Sequence, residues 1–376
     1  HIKSLSKPHK AVQHQISQEK FSDAKRYKLA RLRFNIASGL WAQIVNALMV
    51  LYGVTLIWNF STSIQHALAS PSVLWQSVIF LVLYTSTQSA LEVPVGYYDT
   101  FYVEGKHGFN NSSVKTYIFD QVKTFFITGI IIAIVSAASL KIVDLTGDSF
   151  FVYLLPAIIC LQTFIQTIHP IFILPFSFLF SHVPLEDGEL RTELAKLADK
   201  LSFPLHDVYV MDGSSRSSHS SAFFTGFPWK KQIFLYDTFL KQMTITGVVA
   251  VLAHELGHWS LSHMFVITGV EQLLFVIVLG LLLPSSTTLR SMKLSKSPAI
   301  LLRLTLVLAD RFAAQQGCRM SLSCALTKLQ KENLSVGSDD WLYSCYFNNH
   351  PSIVERLENL AGEVDESKPL LHQESS

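Results

Sequence analysis

The sequence predicts a mostly α-helical protein that crosses a membrane several times. Of its 376 residues, 49% are hydrophobic and only 15% are charged, and the mean hydropathy is +0.32. Soluble domains carry about 25% charged residues. Several apolar runs also approach or exceed the roughly 20 residues that cross a bilayer. The apolar composition indicates the lipid bilayer as a partner. The formal net charge is only +2, so we expect no nucleic acid among its partners.

The apolar runs divide the chain. Four of them, at 36–60, 73–91, 118–143 and 150–180, precede a more polar region, and a fifth covers 264–284. A helix rises about 1.5 Å per residue, so each run is long enough to span the hydrocarbon layer. The sequence therefore predicts about four N-terminal transmembrane helices and one further span.

The basic residues predict an orientation. Residues 1–35 carry nine Lys or Arg, the loop 61–72 carries none, and the loop 99–117 carries two. Basic loops stay on the cytosolic side of a membrane. We therefore expect residues 1–35, the loop 99–117 and the polar region after residue 183 to lie in the cytosol.

The polar region reads as a small α+β domain. Apolar residues recur at helical spacing over 186–201, and short runs at 207–211, 221–225 and 232–236 have strand character. The boundaries that follow are a membrane domain at 1–182, a domain at 183–360 and a polar tail at 361–376. The chain begins at His1 without a signal-peptide pattern, so we expect a fragment.

Residues 254–258 read HELGH and predict a metal site. Four residues along a helix rotate a side chain by about 400°, so His254 and His258 leave one face a turn apart. Their nitrogens can grip a zinc ion, with Glu255 beside it to take a proton from water. Chance gives about 0.04 matches to His-acid-x-x-His in a chain of this composition.

Two nearby residues fail as the third ligand if this helix continues. His263 lies nine positions after His254, a rotation of about 900° that places it on the opposite face. Glu271 lies thirteen positions beyond His258, about 20 Å along the axis. We therefore expect neither of them to bind the metal.

Four segments together carry a family resemblance. They are 104–110 (EGKHGFN), 215–226 (SRSSHSSAFFTG), the HELGHW run at 254–259, and 349–357 (NHPSIVERL). The chain resembles the type I CAAX prenyl proteases from about residue 21 to residue 360. The resemblance implies a ring of transmembrane helices around a water-filled chamber, with a small α+β zinc metallopeptidase domain. From this match we expect the family's first membrane span to be missing from the sequence.

The resemblance also implies an activity and a location. The family removes the last three residues of prenylated proteins that end in Cys-a-a-X, and some members cut a second time upstream. Its substrates are prenylated proteins or peptides. Its membrane is the endoplasmic reticulum, often continuous with the inner nuclear envelope, and its active site faces the cytosol.

Residue roles follow from the match. His254 and His258 resemble the ligands of one Zn²⁺ per chain, Glu255 resembles the general base, and Asp310 resembles an aspartate that supports the site. His350 and Arg356 match positions that steady the tetrahedral intermediate. On its flanking residues alone, Arg356 is better explained by a surface ion pair with Glu355 or Glu358, and the family match reverses that interpretation.

A substrate strand is implied at three residues. Ser221, Ala222 and Phe223 match the strand on which the family's substrates pair through their main chains. The family has Asn where Ser221 stands, so one side-chain hydrogen bond is shortened or lost.

The match breaks at Leu306, where the family places a glutamate as the third zinc ligand. Catalytic zinc sites normally use three protein ligands and a water. Three explanations stay open: residues 284–308 are not the native sequence, the chain is a pseudoprotease that binds lipidated clients, or Asp310 moves in by about 6 Å, one helical turn. A further alternative is a membrane protease with unprenylated substrates.

Overall fold

The fold is given by a computed structural model, which describes residues 2, 7–9, 12–13, 16–67, 72–168, 182–219, 222–227, 229–282, 297–337, 344 and 351–362. The chain divides into two compact units. The helical unit comprises Tyr27–His182 and Met211–His219. The mixed unit comprises His1–Arg26, Val183–Val210 and Ser220–Ser376.

Long helices build the helical unit. In chain order they are α1 (Gln18–Leu48), whose first residues belong to the mixed unit, α2 (Val54–Ala67), α3 (Val73–Tyr98), α4 (Val114–Thr146) and α5 (Phe150–Ile168). A π-helical turn at Met49–Gly53 joins α1 to α2, and another at Asp99–Glu104 extends α3. Within the unit, α3 packs against α2 and α4, and α4 packs against α5.

Within the described residues, three continuous helical stretches are long and apolar enough to cross a membrane: Gln18–Ala67, Val73–Glu104 and Val114–Thr146. They contain the predicted spans 36–60, 73–91 and 118–143 and confirm them. The predicted span 150–180 begins as α5, but residues 169–181 lie outside the described part of the chain. The ring and the chamber stay predictions.

Two of the segments that carry the family resemblance touch inside the helical unit. Glu104 accepts a hydrogen bond from the Tyr27 hydroxyl at 2.8 Å and lies 3.3 Å from Nε2 of His219. The His219 ring stacks on Phe109, with 4.1 Å between centroids. Segment 104–110 is thereby held against the part of segment 215–226 that belongs to the helical unit.

A four-stranded sheet lies at residues 182–236, mainly in the mixed unit. Its strands are β1 (His182–Pro184), β2 (Leu205–Met211), β3 (Ala222–Phe227) and β4 (Lys230–Tyr236), in the order β1-β2-β4-β3. These strands confirm the predicted runs at 207–211 and 232–236, and they confirm 222–225 of the run predicted at 221–225. β3 and β4 form an antiparallel hairpin in which Ala222 pairs with Leu235 and Phe227 with Lys230.

Helices complete the mixed unit. They are α6 (Glu189–Lys200), α7 (Asp237–Gln242), α8 (Ile245–Ser260), α9 (His263–Leu282), α10 (Ser297–Ala313), α11 (Arg319–Glu332) and α12 (Ile353–Ala361). α6 confirms the helix predicted at 186–201. α9 matches the predicted fifth span, and α8 and α9 together form a bent apolar pair with an angle of 53°.

The motif helix α8 lies at the centre of the mixed unit. Thr244 caps its start by accepting a hydrogen bond from the Gly247 amide at 3.2 Å. Leu252 and Leu256 are buried on it, and the helix packs against α6, α10 and α11. At Gly257, a Cβ atom would lie only 3.3 Å from the Ala309 backbone. The missing side chain therefore lets α8 and α10 approach closely enough to share polar contacts.

Candidate metal centre

The two motif histidines are neighbours on α8, as their spacing predicts. The ring centroids of His254 and His258 lie 4.9 Å apart, and the rings are nearly perpendicular at 86°. His254 is buried, with 3% of its surface exposed. Glu255 lies between them in sequence and is half-buried.

His254 is clamped through one nitrogen and left open at the other. Its Nδ1 lies 2.8 Å from Oδ1 of Asp310, an acceptor on the neighbouring helix α10. A neutral imidazole that donates from Nδ1 carries its lone pair on Nε2. In the described part of the protein, this Nε2 is buried without a hydrogen-bond partner. A buried polar atom without a partner costs free energy, so a metal ion at this nitrogen fits the site.

Asp310 is held in turn by Arg356. Arg356 donates from Nε to Oδ2 at 2.8 Å and from Nη2 to Oδ1 at 2.7 Å, the two-pronged geometry of a strong ion pair. Both residues are buried. Although burial works to raise it, the hydrogen bonds from Arg356 and His254 hold the pKa of Asp310 at about 2. The carboxylate is therefore a fixed anion that orients His254.

Arg356 does not form the surface pair that its neighbours in sequence suggest. It lies on α12, and its fork closes on Asp310, 46 residues away in sequence. Its Nη2 is also 3.5 Å from Nδ1 of His254. This contact gives Arg356 a positioning role, and the predicted role toward the tetrahedral intermediate stays a prediction.

An apolar side chain, Leu306, occupies the position at which the family has its third zinc ligand. Leu306 is 3% exposed on α10, one turn before Asp310. Within the described ranges, no group of three or more His, Cys, Asp or Glu side chains is arranged to hold a metal ion. Substitution by Asp310 is disfavoured, because it would have to break the bonds of that carboxylate to Arg356 and His254. The residues present fit a metal at the two histidines and leave its third protein ligand unassigned.

His263 lies where helical extrapolation did not place it. The motif helix ends at Ser260, and Ser262 has a positive φ of 54° before α9 begins. His263 is consequently buried, with its Nδ1 2.9 Å from Nδ1 of His258. The expectation that it lies on the opposite face of one continuous helix is wrong. The third histidine of HELGHWSLSH was visible in the sequence, but the helix break was not.

The predicted substrate strand is partly described. Ala222 and Phe223 begin β3, which stands at the end of the strand order and packs against the motif helix α8. The Phe223 ring stacks on Phe234 of β4, with 5.4 Å between centroids. Ser221 and His350 lie outside the described residues.

Comparisons with known proteins cover almost the whole chain. A family model described as the CAAX prenyl protease N-terminal domain with five membrane helices matches residues 1–178, and the model of peptidase family M48 matches residues 184–364.

Two curated relatives show the extent of the similarity. The probable CAAX prenyl protease 1 of Schizosaccharomyces pombe is 31% identical and covers 93% of this chain and 81% of that protein. The CAAX prenyl protease 1 homolog of Arabidopsis thaliana is 34% identical, over 93% of this chain and 89% of that protein.

The fold is also similar to that of a solved structure. The crystal structure of S. mikatae Ste24p superposes with a TM-score of 0.85 at 31% identity, covering 96% of this chain and 92% of that one. The comparisons support a peptidase and give no support to the pseudoprotease alternative. The chain therefore belongs to peptidase family M48, as a multi-pass membrane metalloendopeptidase of the CAAX prenyl protease type.

Proposed function

We propose that this chain uses one zinc ion to remove the C-terminal tripeptide of prenylated proteins that end in a CAAX sequence. The observation that carries the proposal is the state of His254. Its Nδ1 is clamped by Asp310, and its buried Nε2 has no hydrogen-bond partner among the described residues. The names of the relatives supply the substrate class.

The mechanism assigns a task to each residue. His254 and His258 would hold the zinc ion, which supplies a Lewis acid that activates a water molecule and polarises the scissile carbonyl. Glu255 accepts the proton of the attacking water and returns it to the leaving amide nitrogen as the C–N bond breaks. Asp310, held by Arg356, keeps His254 in the tautomer that offers Nε2. His350 and Arg356 are the groups proposed to face the developing oxyanion.

The substrate is proposed to lie along β3. The strand pairs with β4 through one edge only among the described strands, so its other edge offers main-chain donors and acceptors to an extended peptide. Ser221, Ala222 and Phe223 would form that edge. Because β3 packs on α8, a peptide added there would pass near the motif helix.

The domain organisation and location are part of the same proposal. Residues 1–182 form the membrane domain, 183–360 the peptidase domain and 361–376 a polar tail. The protein resides in the endoplasmic reticulum membrane, shared with the inner nuclear envelope, and its active site faces the cytosol. The basic residues of 1–35 support this orientation.

Cleavage of matched peptides tests the function. The full chain, purified in detergent with zinc in excess, is given a farnesylated CAAX peptide and the same peptide without its lipid. We expect cleavage of the lipidated peptide before its last three residues, and loss of cleavage in Glu255→Gln and with phenanthroline. Equal cleavage of both peptides would indicate a protease for unprenylated substrates. No cleavage at any zinc concentration would overturn the proposal for this sequence.

The Leu306→Glu variant distinguishes two reasons for a lack of cleavage: an incomplete set of zinc ligands or an incorrect substrate class. The new carboxylate would complete the usual three-ligand set, so we expect zinc affinity to rise on the order of 100-fold. Leu306→Gln is the matched control, because it has nearly the same shape and no charge. If only Leu306→Glu cleaves the lipidated peptide, the scaffold is a protease and this sequence is inactive. If neither the parent nor Leu306→Glu cleaves it, the substrate class is wrong.

A further inference from the structure

The junction between α8 and α9 brings a third histidine to the metal centre. Leu261 donates its amide to the Gly257 carbonyl at 3.0 Å and closes the motif helix, and Ser262 then adopts its positive φ. The next helix leaves at 53° to the first. This bend turns His263 back toward α8, where it is 4% exposed.

The contact that results is a hydrogen bond between two imidazoles. Nδ1 of His258 and Nδ1 of His263 lie 2.9 Å apart, and the two ring centroids lie 5.0 Å apart. Two nitrogens at this distance share one proton, so one ring donates and the other accepts. A zinc ion shared between these two Nδ1 atoms fits less well than a hydrogen bond, because two nitrogens bound to one tetrahedral zinc are about 3.3 Å apart.

The direction of the bond follows from the metal. A His258 ring that offers the Nε2 lone pair to zinc carries its proton on Nδ1 and therefore donates. His263 then accepts at Nδ1 and carries its own proton on Nε2. We propose that His263 is the positioning residue of His258, fixing its tautomer and ring orientation as Asp310 does for His254. The inference rests on the proposed metal site and concerns its second histidine.

These two contacts, one to each motif histidine, differ in strength. His254 is bound to a buried carboxylate that is itself gripped by a guanidinium, whereas His258 is bound to a neutral ring. Hydrogen bonds to charged groups are worth roughly twice those between neutral groups. The bond from His258 to His263 is therefore the weaker of these two contacts, and its loss should lower metal affinity.

Zinc affinity of the full chain tests the proposal without any cleavage assay. Competition with a fluorescent zinc chelator is measured at one fixed pH for the parent, His263→Leu and His263→Asn. Leucine fills the buried space and removes the acceptor, and asparagine keeps an oxygen acceptor near the place of Nδ1. We expect His263→Leu to bind zinc about 10- to 100-fold more weakly and His263→Asn to stay near the parent. Equal affinity in all three proteins would overturn the proposal.

A double mutant separates positioning from a general structural effect. In a His258→Ala background the partner ring is absent, so we expect His263→Leu to change zinc affinity no further. The same loss in both backgrounds would contradict the proposal, as would an equal loss in His263→Asn, which would indicate a direct ligand. Absorption bands of Co²⁺-loaded protein add a spectroscopic readout, which should shift in His263→Leu and be restored in His263→Asn. Failure of the proposed substrate class would leave these results unchanged.

Discussion

Helices α4 and α8 are both apolar, yet they bury opposite kinds of residue. In the 33-residue α4, large apolar side chains such as Ile134 are 65% exposed, and Ser136 is the buried residue. In the 16-residue α8, Leu252 and Ala253 are fully buried together with His254. Apolar composition alone therefore does not define the interior of this protein. α4 is long and apolar enough to cross a membrane, where its exposed apolar side chains would meet lipid, whereas α8 is packed against other helices.

Polar groups have different tasks in the two helices. The Ser136 hydroxyl finds its hydrogen-bond partner within its own helix, since it donates to the Ile132 carbonyl at 2.6 Å. His254 depends on Asp310 and Arg356, which come from two other helices. α4 can therefore tolerate changes that α8 cannot, and mutations in matched pairs measure that contrast.

Asp310→Ala should have the largest effect on stability. It leaves the Arg356 guanidinium buried without its anion, and breaking a buried pair from one side costs about 3–5 kcal/mol. Thermal unfolding in one detergent, without zinc, measures the loss. The double variant Asp310→Leu with Arg356→Leu removes both charges and should recover most of the stability. A double variant as unstable as Asp310→Ala would show that packing, and not the unpaired charge, sets the cost.

Leu252→Ala against Ile134→Ala tests the contrast directly. Leu252 is 0% exposed in the core around α8, and truncating such a residue costs about 2–5 kcal/mol. Ile134 faces outward from α4, and we expect a change of about 0.5 kcal/mol or less. Melting temperatures of the two variants in the same detergent give the comparison. A large loss in Ile134→Ala would mean that this side of α4 is packed against protein.

The elements of the fold were largely predictable from the sequence. Apolar run length identified three spans, and short runs with strand character identified β2, β3 and β4, because each depends on a local pattern. The spacing of His254 and His258 likewise placed both rings together. These features need no knowledge of distant residues.

Two features of the site could not be read from local patterns. The bond between Arg356 and Asp310 joins residues 46 positions apart, and the flanking acids suggested a different partner. The helix break at Ser262 requires a positive φ in a residue that is not glycine, a conformation uncommon outside glycine. Extrapolating one helix through that position placed His263 on the wrong face.

Gly257→Ala and Gly129→Ala compare how closely the backbones of α8 and α4 are packed. A Cβ at Gly257 would lie 3.1 Å from Phe312 Cδ1 and 3.3 Å from Ala309, whereas nothing lies within 4 Å of a Cβ at Gly129 on α4. We expect Gly257→Ala to cost about 1–2 kcal/mol by forcing α8 from α10. Gly129→Ala should stabilise by about 0.5–1 kcal/mol, because alanine favours a helix. Unfolding midpoints of both variants decide this, and opposite signs are the required result.

Removing the N-terminal cap should cost α4 and α8 the same stability, unlike the substitutions inside the two helices. Ser113 accepts a hydrogen bond from the Thr116 amide at 3.1 Å at the start of α4, and Thr244 accepts from the Gly247 amide at 3.2 Å at the start of α8. Each cap satisfies one amide of its own first turn, so its worth does not depend on what surrounds the rest of the helix. We expect Ser113→Ala and Thr244→Ala each to cost about 1 kcal/mol.

Ser77→Ala is the control for the capping pair. Its hydroxyl donates to the Val73 carbonyl within α3 and caps no amide, so its loss should be nearly neutral. Unfolding midpoints in one detergent compare all three variants. A cost at Thr244 several times that at Ser113 would contradict equal capping. It would show instead that the start of α8 is coupled to the core around the metal centre, and the two helices would then differ even in their most local interaction.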